Sequence, residues 1–396
     1  MIPKAELLAA AKFQELLPTT VQKDYVLGWL LRAIAEHPVL SRWVFKGGTC
    51  LKKCFFETYR FSEDLDFTIP KDQPITVDFL SKYLNEVAGW IESRSGLTFP
   101  RQDWKIEEYK NPQGNNAYRV RIPFAGPIGQ HSKSLQRVKF DLTQDEVIVD
   151  TPQTRVLHHG YTDAVQPPPQ VLCYTIDEII AEKTRALVQR NGRSRDVYDV
   201  VNISRNFRDS INPERARNIA GEKFRFKGLQ SLTVSQVMDA IDEGVLRANW
   251  EQELSHQINV LAPVETFLAD LRDSIAWWLQ PETAKPRLQP MPEAKGRSAP
   301  RVFFPSVSWQ AGPAAMDRIR YAAHSRLCAV VTYHNSTRLV EPYSLRYPST
   351  GNENLHVWEV EKNGVPSNHQ KVFKTHEIES ATVSNRSFLP QWDVEL

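Results

Sequence analysis

The stretch from Phe45 to Phe67 reads FKGGTCLKKCFFETYRFSEDLDF. Three of its carboxylates, Glu63, Asp64 and Asp66, lie among apolar residues shortly after a glycine pair. Like charges this close to one another repel and resist burial unless something compensates them. A divalent cation is the simplest compensation, so this stretch predicts a metal site.

The alternation around the two aspartates predicts their geometry. Residues two apart in a strand point to the same face, so Asp64 and Asp66 should project together, with Leu65 packed behind them. Paired carboxylates bind hard divalent ions through oxygen, and Mg²⁺ keeps its other positions for water and substrate phosphates. We therefore expect Mg²⁺, or Mn²⁺ in its place.

The glycine pair predicts a phosphate site beside this metal. At Gly47 and Gly48 a backbone turn can approach triphosphate oxygens without a Cβ clash, and Thr49 adds a hydroxyl. Asp141, in the strand-like run VKFDLT, is the best candidate for a third carboxylate that completes a two-metal site and deprotonates an attacking hydroxyl. A single Asp-x-Asp or glycine pair is also common in solvated turns, so spacing alone leaves both interpretations open.

Length and charge limit the other possibilities. A chain of 396 residues is long enough for two or three domains. Its net charge of +2 gives no general signal for a polyanionic partner, so nucleic-acid binding requires a local basic cluster. The N-terminus lacks a signal-peptide pattern and the chain lacks a long apolar run, which predicts a cytoplasmic protein with no membrane partner.

The four cysteines give no metal-binding pattern. Cys50 and Cys54 are one helical turn apart, whereas Cys173 and Cys328 are isolated in the sequence. Without a Cys-x-x-Cys pair or a disulfide-rich composition, the pattern predicts four reduced thiols.

The pattern along the chain predicts an α+β fold followed by a separate β domain. Residues 1–44 have helical spacing, and short strands such as AYRVRIPF and RVKFDLT, mixed with loops, follow up to about residue 170. Thr175 and Glu178 form a capping-box pattern that opens a helix ending at Gly192. A proline-rich stretch and several β-rich runs come last. We divide the chain into an α+β core (1–170), a helical subdomain (171–280), a linker (281–305) and a small β domain (306–396).

Two separated motifs give the chain a family resemblance. VFKGGTCLKK…RFSEDLDFT, a glycine turn followed by a strand-borne Asp-x-Asp, resembles the nucleotidyltransferases of the DNA polymerase beta superfamily. It is most similar to the AbiEii/AbiGii-type nucleotidyltransferase toxins, and IDEIIAEKTRALVQRNGRSRDVYDV resembles their downstream block. The resemblance covers roughly residues 15–205. It implies a polymerase-beta-like core whose active site is completed by a helical C-terminal subdomain.

The resemblance also implies roles for individual residues. Asp64 and Asp66 hold the metal ions, with Asp141 as a further ligand. Asp196 matches the aspartate after the basic loop, and Asp199 is its alternative because residues three apart share a helix face. The residues implied for the nucleotide are Lys46, Gly47, Gly48, Thr49, Ser62 and Lys183.

Lys183 is the residue for which two interpretations compete. In the family context it reaches the phosphates as a point charge. Without that context it is a surface lysine paired with Glu182 or Asp177.

The implied reaction transfers a nucleoside monophosphate from an NTP to an acceptor hydroxyl and releases pyrophosphate. The resemblance points to the 3′ end of tRNA as acceptor, in growth arrest or phage defence, with a cognate antitoxin as a possible partner. A basic cluster could follow the RNA backbone, although such clusters are also common on solvated helix faces. Its members are Arg185, Arg190, Arg193, Arg195, Arg205, Arg208, Lys223, Arg225 and Lys227. Protein NMPylation, a catalytically weak nucleotide or RNA sensor, and a metal-dependent nuclease are the alternatives.

The last ninety or so residues resemble the WYL domain, an Sm-like β-barrel that senses ligands. The similarity lies in the helix AAMDRIRYAAHSR, the run from Tyr333 to Pro342 and a final strand at Phe373–Ile378, although LHVWEV lacks the Trp-Tyr-Leu order. It implies a regulatory pocket for an unidentified ligand or nucleic acid. The candidate pocket residues are Tyr333, His334, Arg338, Tyr343 and Lys374. The alternative is that Arg338 is a surface cation and Tyr333 a core residue.

Overall fold

A computed structural model describes residues 1–396 except 14–15, 57–58, 112–113, 130–134, 209, 230–232, 259–260, 262, 284–314, 325, 349–350 and 393. Within the described residues the helices are α1 (Lys4–Phe13), α2 (Pro18–Glu36), α3 (Gly47–Cys50), α4 (Val77–Ser95), α5 (Ile176–Gln189), α6 (Ser194–Phe207), α7 (Pro213–Phe226), α8 (Val234–Asp239), α9 (Glu243–Leu254), α10 (Val264–Leu279) and α11 (Ala315–His324). The strands are β1 (Val44–Lys46), β2 (Asp64–Thr68), β3 (Lys105–Lys110), β4 (Asn116–Phe124), β5 (Gln136–Thr143), β6 (Gln153–Val156), β7 (Gln170–Cys173), β8 (Leu327–Tyr333), β9 (Ser336–Arg346), β10 (Asn354–Lys362), β11 (Val365–Lys374) and β12 (Ile378–Ser387).

A seven-stranded mixed sheet forms the first part of the molecule, in the order β3-β4-β5-β2-β1-β7-β6. The central strand β2 runs parallel to β5 and antiparallel to β1. Leu65 and Phe67 are buried in the core beneath this strand, whereas Asp64 and Asp66 lie half-buried on its other face. The predicted alternation is therefore confirmed, and the mixed α/β architecture agrees with the α+β prediction.

The helix predicted after residue 175 is present as α5, but its cap is only half of a capping box. The Thr175 side chain accepts a hydrogen bond from the Glu178 backbone N–H. The Glu178 carboxylate instead accepts from the backbone N–H groups of Val149 and Asp150 and pairs with Lys223. Tertiary partners therefore take the carboxylate away from the local position that the sequence pattern predicted.

Helix α4 differs from the prediction of short strands and loops up to residue 170. The helix begins after Thr76, whose side chain accepts from the Phe79 N–H, and it ends at Gly96 in the left-handed region with φ +74°. Its buried residues recur at helical spacing: Leu80, Leu84, Val87, Ala88 and Ile91. That spacing and the glycine stop are the ordinary sequence signals of a helix.

The C-terminal part contains a five-stranded antiparallel sheet in the order β11-β10-β9-β8-β12, with α11 packed against β8 and β12. The expected Sm-like barrel is not confirmed, since no ladder joins the outer strands β11 and β12 in the residues that the structure describes. The final strand expected at Phe373–Ile378 is interrupted by a 3-10 turn at Thr375–Glu377, after which β12 begins. The proposed linker lies outside the described residues except for 281–283. Among the helices described, none is long and apolar enough to cross a membrane.

Candidate active site

The glycine turn after β1, formed by Gly47, Gly48 and Thr49, lies against residues of β2 and of the segment that leads into it. A Cβ at Gly47, where φ is +81°, would lie 2.3 Å from Asp66 Oδ2. A Cβ at Gly48 would lie 2.5 Å from Arg60 Nη2 and 3.1 Å from Ser62 Oγ. The buried Thr49 hydroxyl donates to the Asp64 carbonyl and so fastens the turn to β2. A side chain at either glycine would displace these neighbours, and the positive φ of Gly47 also favours glycine.

A row of charged residues crosses the sheet beside this turn. In the strand register Lys46 lies opposite Asp66, Asp66 opposite Asp141, and Asp141 opposite Arg119. Asp141, which the sequence singled out, is therefore the carboxylate that the parallel pairing of β2 and β5 places next to Asp66.

The electrostatics of this row suit a divalent cation. Burial, the neighbouring Asp141 carboxylate and Asp64 raise the pKa of Asp66 from 3.8 to about 6, against the attraction of Lys46. The Lys139 ammonium bridges the other two carboxylates, at 3.7 Å from Asp64 Oδ2 and in contact with Asp141. The Lys139 ammonium thus already lies between Asp64 and Asp141. The ionised form of Asp66, the third acid, remains electrostatically unfavourable. Three carboxylates are the donor set that Mg²⁺ or Mn²⁺ prefers, so the chemistry of these residues fits such an ion. Their oxygens do not all lie within 4.8 Å of one another, so the side chains must move closer together to share one ion.

Glu63 belongs to a different contact. Its carboxylate pairs with Lys23 Nζ of α2 at 2.8 Å, and this pairing lowers the pKa of Glu63 despite its partial burial. Of the three acids in the opening stretch, Asp64 and Asp66 share a sheet face with Asp141, and these three acids form the carboxylate row. Glu63 instead ties this segment to α2.

Lys183 is largely buried, with its side chain 14% exposed, and forms an ion network with both predicted aspartates. Its Nζ lies 2.7 Å from Asp199 Oδ2 and 3.2 Å from Asp196 Oδ1. Burial alone would lower the pKa of Lys183, but Asp199 and Asp196 together raise it, so the side chain is protonated. The interpretation as a surface lysine paired with Glu182 or Asp177 is wrong.

Asp199 is the centre of this network. It accepts two hydrogen bonds from the Arg60 guanidinium, at 2.7 and 2.8 Å, and a third from the Tyr59 hydroxyl at 2.7 Å. It is fully buried, yet Arg60 and Lys183 outweigh the effect of burial and hold its pKa well below the ordinary value. Asp199 thereby links the helical part to the glycine turn, because Arg60 lies against Gly48.

Lys46 contacts acids outside the carboxylate row as well as Asp66. Its ammonium lies 3.6 Å from Glu182 and 3.7 Å from Glu146. Burial lowers the pKa of Lys46, but Glu182, Glu146 and Asp66 raise it above its ordinary value. The side chain therefore adds a fixed positive charge behind Asp66.

The basic cluster predicted on the helices is partly internal. Arg185, Arg205 and Lys223 are buried, and Arg205 and Lys223 pair with Asp270 and Glu178. For these three the interpretation as an exposed RNA-binding patch is wrong, because they lie inside the fold among carboxylates of neighbouring elements. Arg190, Arg193 and Arg225 of the predicted cluster are exposed, and further cations lie along the sheet, where Lys105 is exposed and Arg121 and Lys139 are half-buried.

The C-terminal candidates divide into two groups. Tyr333, His334 and Lys374 all contact Glu377, and Arg338 pairs with Glu359 while lying over the Tyr333 ring. Tyr333 and Lys374 also line a cavity of about 280 Å³ between this sheet and α6. Tyr343 is separate, because it is buried against Trp392 with ring centroids 4.1 Å apart. Arg338 is buried, so its interpretation as a surface cation is wrong.

Arg60, Lys139 and Arg119 are the residues at this site that sequence reasoning did not single out. Arg60 could have been found, because an arginine inside the apolar run before Asp64 must have a partner when it is buried. Lys139 and Arg119 required knowledge of the strand register.

Comparisons with known proteins identify the family of this site. MenT4, a nucleotidyltransferase toxin from Mycobacterium tuberculosis H37Rv, superimposes with a TM-score of 0.51 at 19% identity, covering 71% of this chain and 90% of that chain. This likeness shows a shared fold. An antigenic nucleotidyltransferase-like protein from Paracoccidioides brasiliensis gives a TM-score of only 0.30 at 15% identity, over 56% of this chain and 93% of that chain. No curated protein sequence matches the chain.

A family model described as nucleotidyl transferase AbiEii toxin, type IV toxin–antitoxin system, matches residues 29–280. The match contains the glycine turn, the carboxylate row and the Lys183 network. The chain therefore belongs to the AbiEii nucleotidyltransferase toxin family.

Proposed function

We propose that this chain transfers a nucleoside monophosphate from an NTP to the 3′-terminal hydroxyl of an RNA, with tRNA as the acceptor, and that Mg²⁺ supports the reaction. The observation that carries this proposal is the in-register pairing of Asp66 with Asp141, next to a glycine turn in which a Cβ would meet Asp66 or Arg60. Growth arrest, during phage infection or under control of an antitoxin, is the proposed consequence.

The carboxylates Asp64, Asp66 and Asp141 are the proposed metal ligands. When bound, the divalent ions neutralise triphosphate charge and lower the pKa of the acceptor hydroxyl. Arg119 Nε lies 3.2 Å from Asp141, and Lys139 contacts the same carboxylate, so both side chains fix its position. We assign Asp141 as the acceptor of the hydroxyl proton.

The glycine turn and Lys183 are the proposed triphosphate site. Gly47 and Gly48 leave room for phosphate oxygens, Ser62 lies beside the turn, and Thr49 anchors it to β2. Lys183 offers a charge that Asp196 and Asp199 keep protonated and in place. The charge positioned in this pocket stabilises the pyrophosphate as it leaves.

The acceptor surface is the reason for favouring RNA over a protein hydroxyl. Asp64 lies opposite Lys139 in the strand register, Lys139 opposite Arg121, and Arg121 opposite Lys105. Directly opposed residues share a sheet face, so a row of three cations leads away from the carboxylates. Such a row suits successive phosphates of an RNA strand.

The C-terminal sheet is the proposed regulatory domain. We retain the division into a polymerase-beta-like core (1–170), a helical subdomain (171–280), a linker (281–305) and a regulatory domain (306–396). Contact between the parts is direct, since Lys371 of β11 donates to the Arg205 carbonyl of α6. The cavity beside this contact, lined by Tyr333 and Lys374, is the proposed ligand pocket.

The test is a labelling reaction with the purified full-length protein. The protein is incubated with Mg²⁺ or Mn²⁺, each α-labelled NTP in turn, and total RNA, and the products are separated on a denaturing gel. Asp64→Ala removes one proposed metal ligand. Asp72→Ala is the matched control, because Asp72 is an exposed carboxylate paired with Arg42.

Label in tRNA-sized bands with the wild type and Asp72→Ala, and none with Asp64→Ala, is the expected result. Label on a protein band would replace the proposal with NMPylation, and shortened RNA would replace it with nuclease activity. NTP binding without pyrophosphate release would favour the sensor function.

A further inference from the structure

Three of the four cysteines converge behind the glycine turn, although their spacing along the chain shows no metal-binding pattern. The Sγ atoms of Cys50, Cys54 and Cys173 all lie within 4.8 Å of one another, and all three residues are buried. Cys50 ends α3, Cys54 lies in the following π-helical turn at Leu51–Phe55, and Cys173 ends β7. Among the described residues, no other group of three potential metal ligands converges this closely.

The parallel pairing of β1 with β7 creates this convergence. Phe45 of β1 lies opposite Cys173, and the Tyr174 backbone N–H donates to the Phe45 carbonyl at 3.0 Å. The chain then turns at the glycines and returns along α3, so Cys50 and Cys54 face the end of β7.

The surroundings of the cluster favour negative charge on Cys173, whereas burial raises the pKa of the Cys50 and Cys54 thiols. Hydrogen bonds from the Cys50 and Cys54 thiols lower the pKa of Cys173, and the charge of Arg155 acts in the same direction. The Arg155 guanidinium donates to the Cys54 carbonyl at 2.8 Å and lies over the Phe55 ring at 4.3 Å from its centroid. The Arg155 cation therefore acts on two of the three sulfur donors, Cys54 and Cys173.

We propose that Cys50, Cys54 and Cys173 together bind one thiophilic d¹⁰ metal ion, Cu⁺ or Zn²⁺. Three sulfurs at the usual Zn–S distance lie about 4 Å from one another, which the present spacing permits. Each thiol that becomes a ligand releases its proton to solvent, as metal–thiolate formation requires. Soft thiolates select these ions over Mg²⁺, so this site is chemically distinct from the carboxylate row.

Charge and coordination number separate the two candidate ions. With Zn²⁺ and three thiolates the site has a net charge of −1, which the charge of Arg155 balances. With Cu⁺ and three thiolates the net charge is −2, of which Arg155 balances only half, so charge favours Zn²⁺. Among the described His, Cys, Asp and Glu side chains no fourth ligand converges with the three sulfurs, so coordination number favours Cu⁺, which accepts three sulfur ligands. Either ion would connect β7 to α3 and so hold the glycine turn from behind.

Metal content and ligand type test this inference without reference to transferase activity. Full-length protein is prepared anaerobically with reductant, supplied with Zn²⁺ or Cu⁺ in separate samples, and passed through a desalting column with a competing chelator. Mass spectrometry measures metal per chain, and X-ray absorption at the metal edge counts sulfur neighbours. We expect one retained ion with three sulfur neighbours, loss of that ion in Cys173→Ser, and retention in Cys328→Ser. Cys328 is a buried cysteine outside the cluster and is the matched control.

Three results would overturn the inference: no ion retained from either sample, equal retention by Cys173→Ser, or an absorption spectrum with oxygen or nitrogen ligands only. If Cys173→Ser fails to fold by circular dichroism, the wild-type spectrum still decides between sulfur ligation and its absence. Asp64→Ala should retain the thiolate-bound ion. Failure of the proposed transferase reaction and failure of this site are therefore distinguishable.

Discussion

Replacing Asp66 with asparagine should make the protein more stable while abolishing its activity. The surroundings of Asp66 raise its pKa from 3.8 to about 6, so they disfavour the ionised carboxylate relative to the unfolded chain. A difference of about two pH units corresponds to roughly 3 kcal/mol at neutral pH. The asparagine side chain has nearly the same shape and no charge, and the variant should recover most of that free energy.

The effect has a defined pH dependence. Well below pH 3.8 the carboxyl is protonated in both the folded and the unfolded chain, so the penalty is absent there. As the pH rises from 3.8 to about 6, the unfolded chain releases its proton while the folded chain retains it, and wild-type stability falls. Above that window the full penalty applies. In Asp66→Asn this loss should disappear.

The assay is urea unfolding followed by circular dichroism, in chelator, at pH 4.5 and pH 7.5. We expect Asp66→Asn to gain about 2–3 kcal/mol over wild type at pH 7.5 and less at pH 4.5. Adding Mg²⁺ should stabilise the wild type more than the variant, because bound ligand stabilises the folded state. Equal or lower stability of Asp66→Asn at pH 7.5 in chelator would refute the electrostatic explanation of this site.

Three further changes test other parts of the structure. Asp199→Asn should destabilise the protein by about 3–5 kcal/mol, because it leaves the buried Arg60 and Lys183 without their shared carboxylate, and thermal unfolding would measure this loss. A gain in stability would contradict it. Gly47→Ala should lower the free energy of unfolding by at least about 1 kcal/mol, because a Cβ at φ +81° is strained and meets Asp66, and it should remove labelling activity. Wild-type activity in this variant would argue against the close turn. Arg121→Ala should raise the KM for RNA with little change in kcat and should reduce the salt dependence of RNA binding, whereas an unchanged salt dependence would remove Arg121 from the acceptor surface.

Local sequence alone predicted two parts of the site, the carboxylates of β2 and the glycine turn. Alternation in Asp64-Leu65-Asp66 was enough to predict two carboxylates on one strand face, because side chains in a strand alternate at every residue. The glycine pair predicted the tight turn for a similar reason, since a positive φ favours glycine. The same kind of local signal marks α4, in its apolar spacing and its terminal Gly96, although the prediction for that segment was strands and loops.

Only the tertiary structure decided which residues from distant parts of the chain meet at the site. Arg60 and Asp199 are 139 residues apart, and their ion pair exists because α6 packs against the segment before β2. Asp141 lies beside Asp66 through the parallel register of β2 and β5, and Cys173 meets Cys50 through the pairing of β1 with β7. Local propensity depends on neighbours a few residues away, whereas strand order and register depend on the whole core. The sequence therefore specified which groups the site contains, and the fold specified which of them touch.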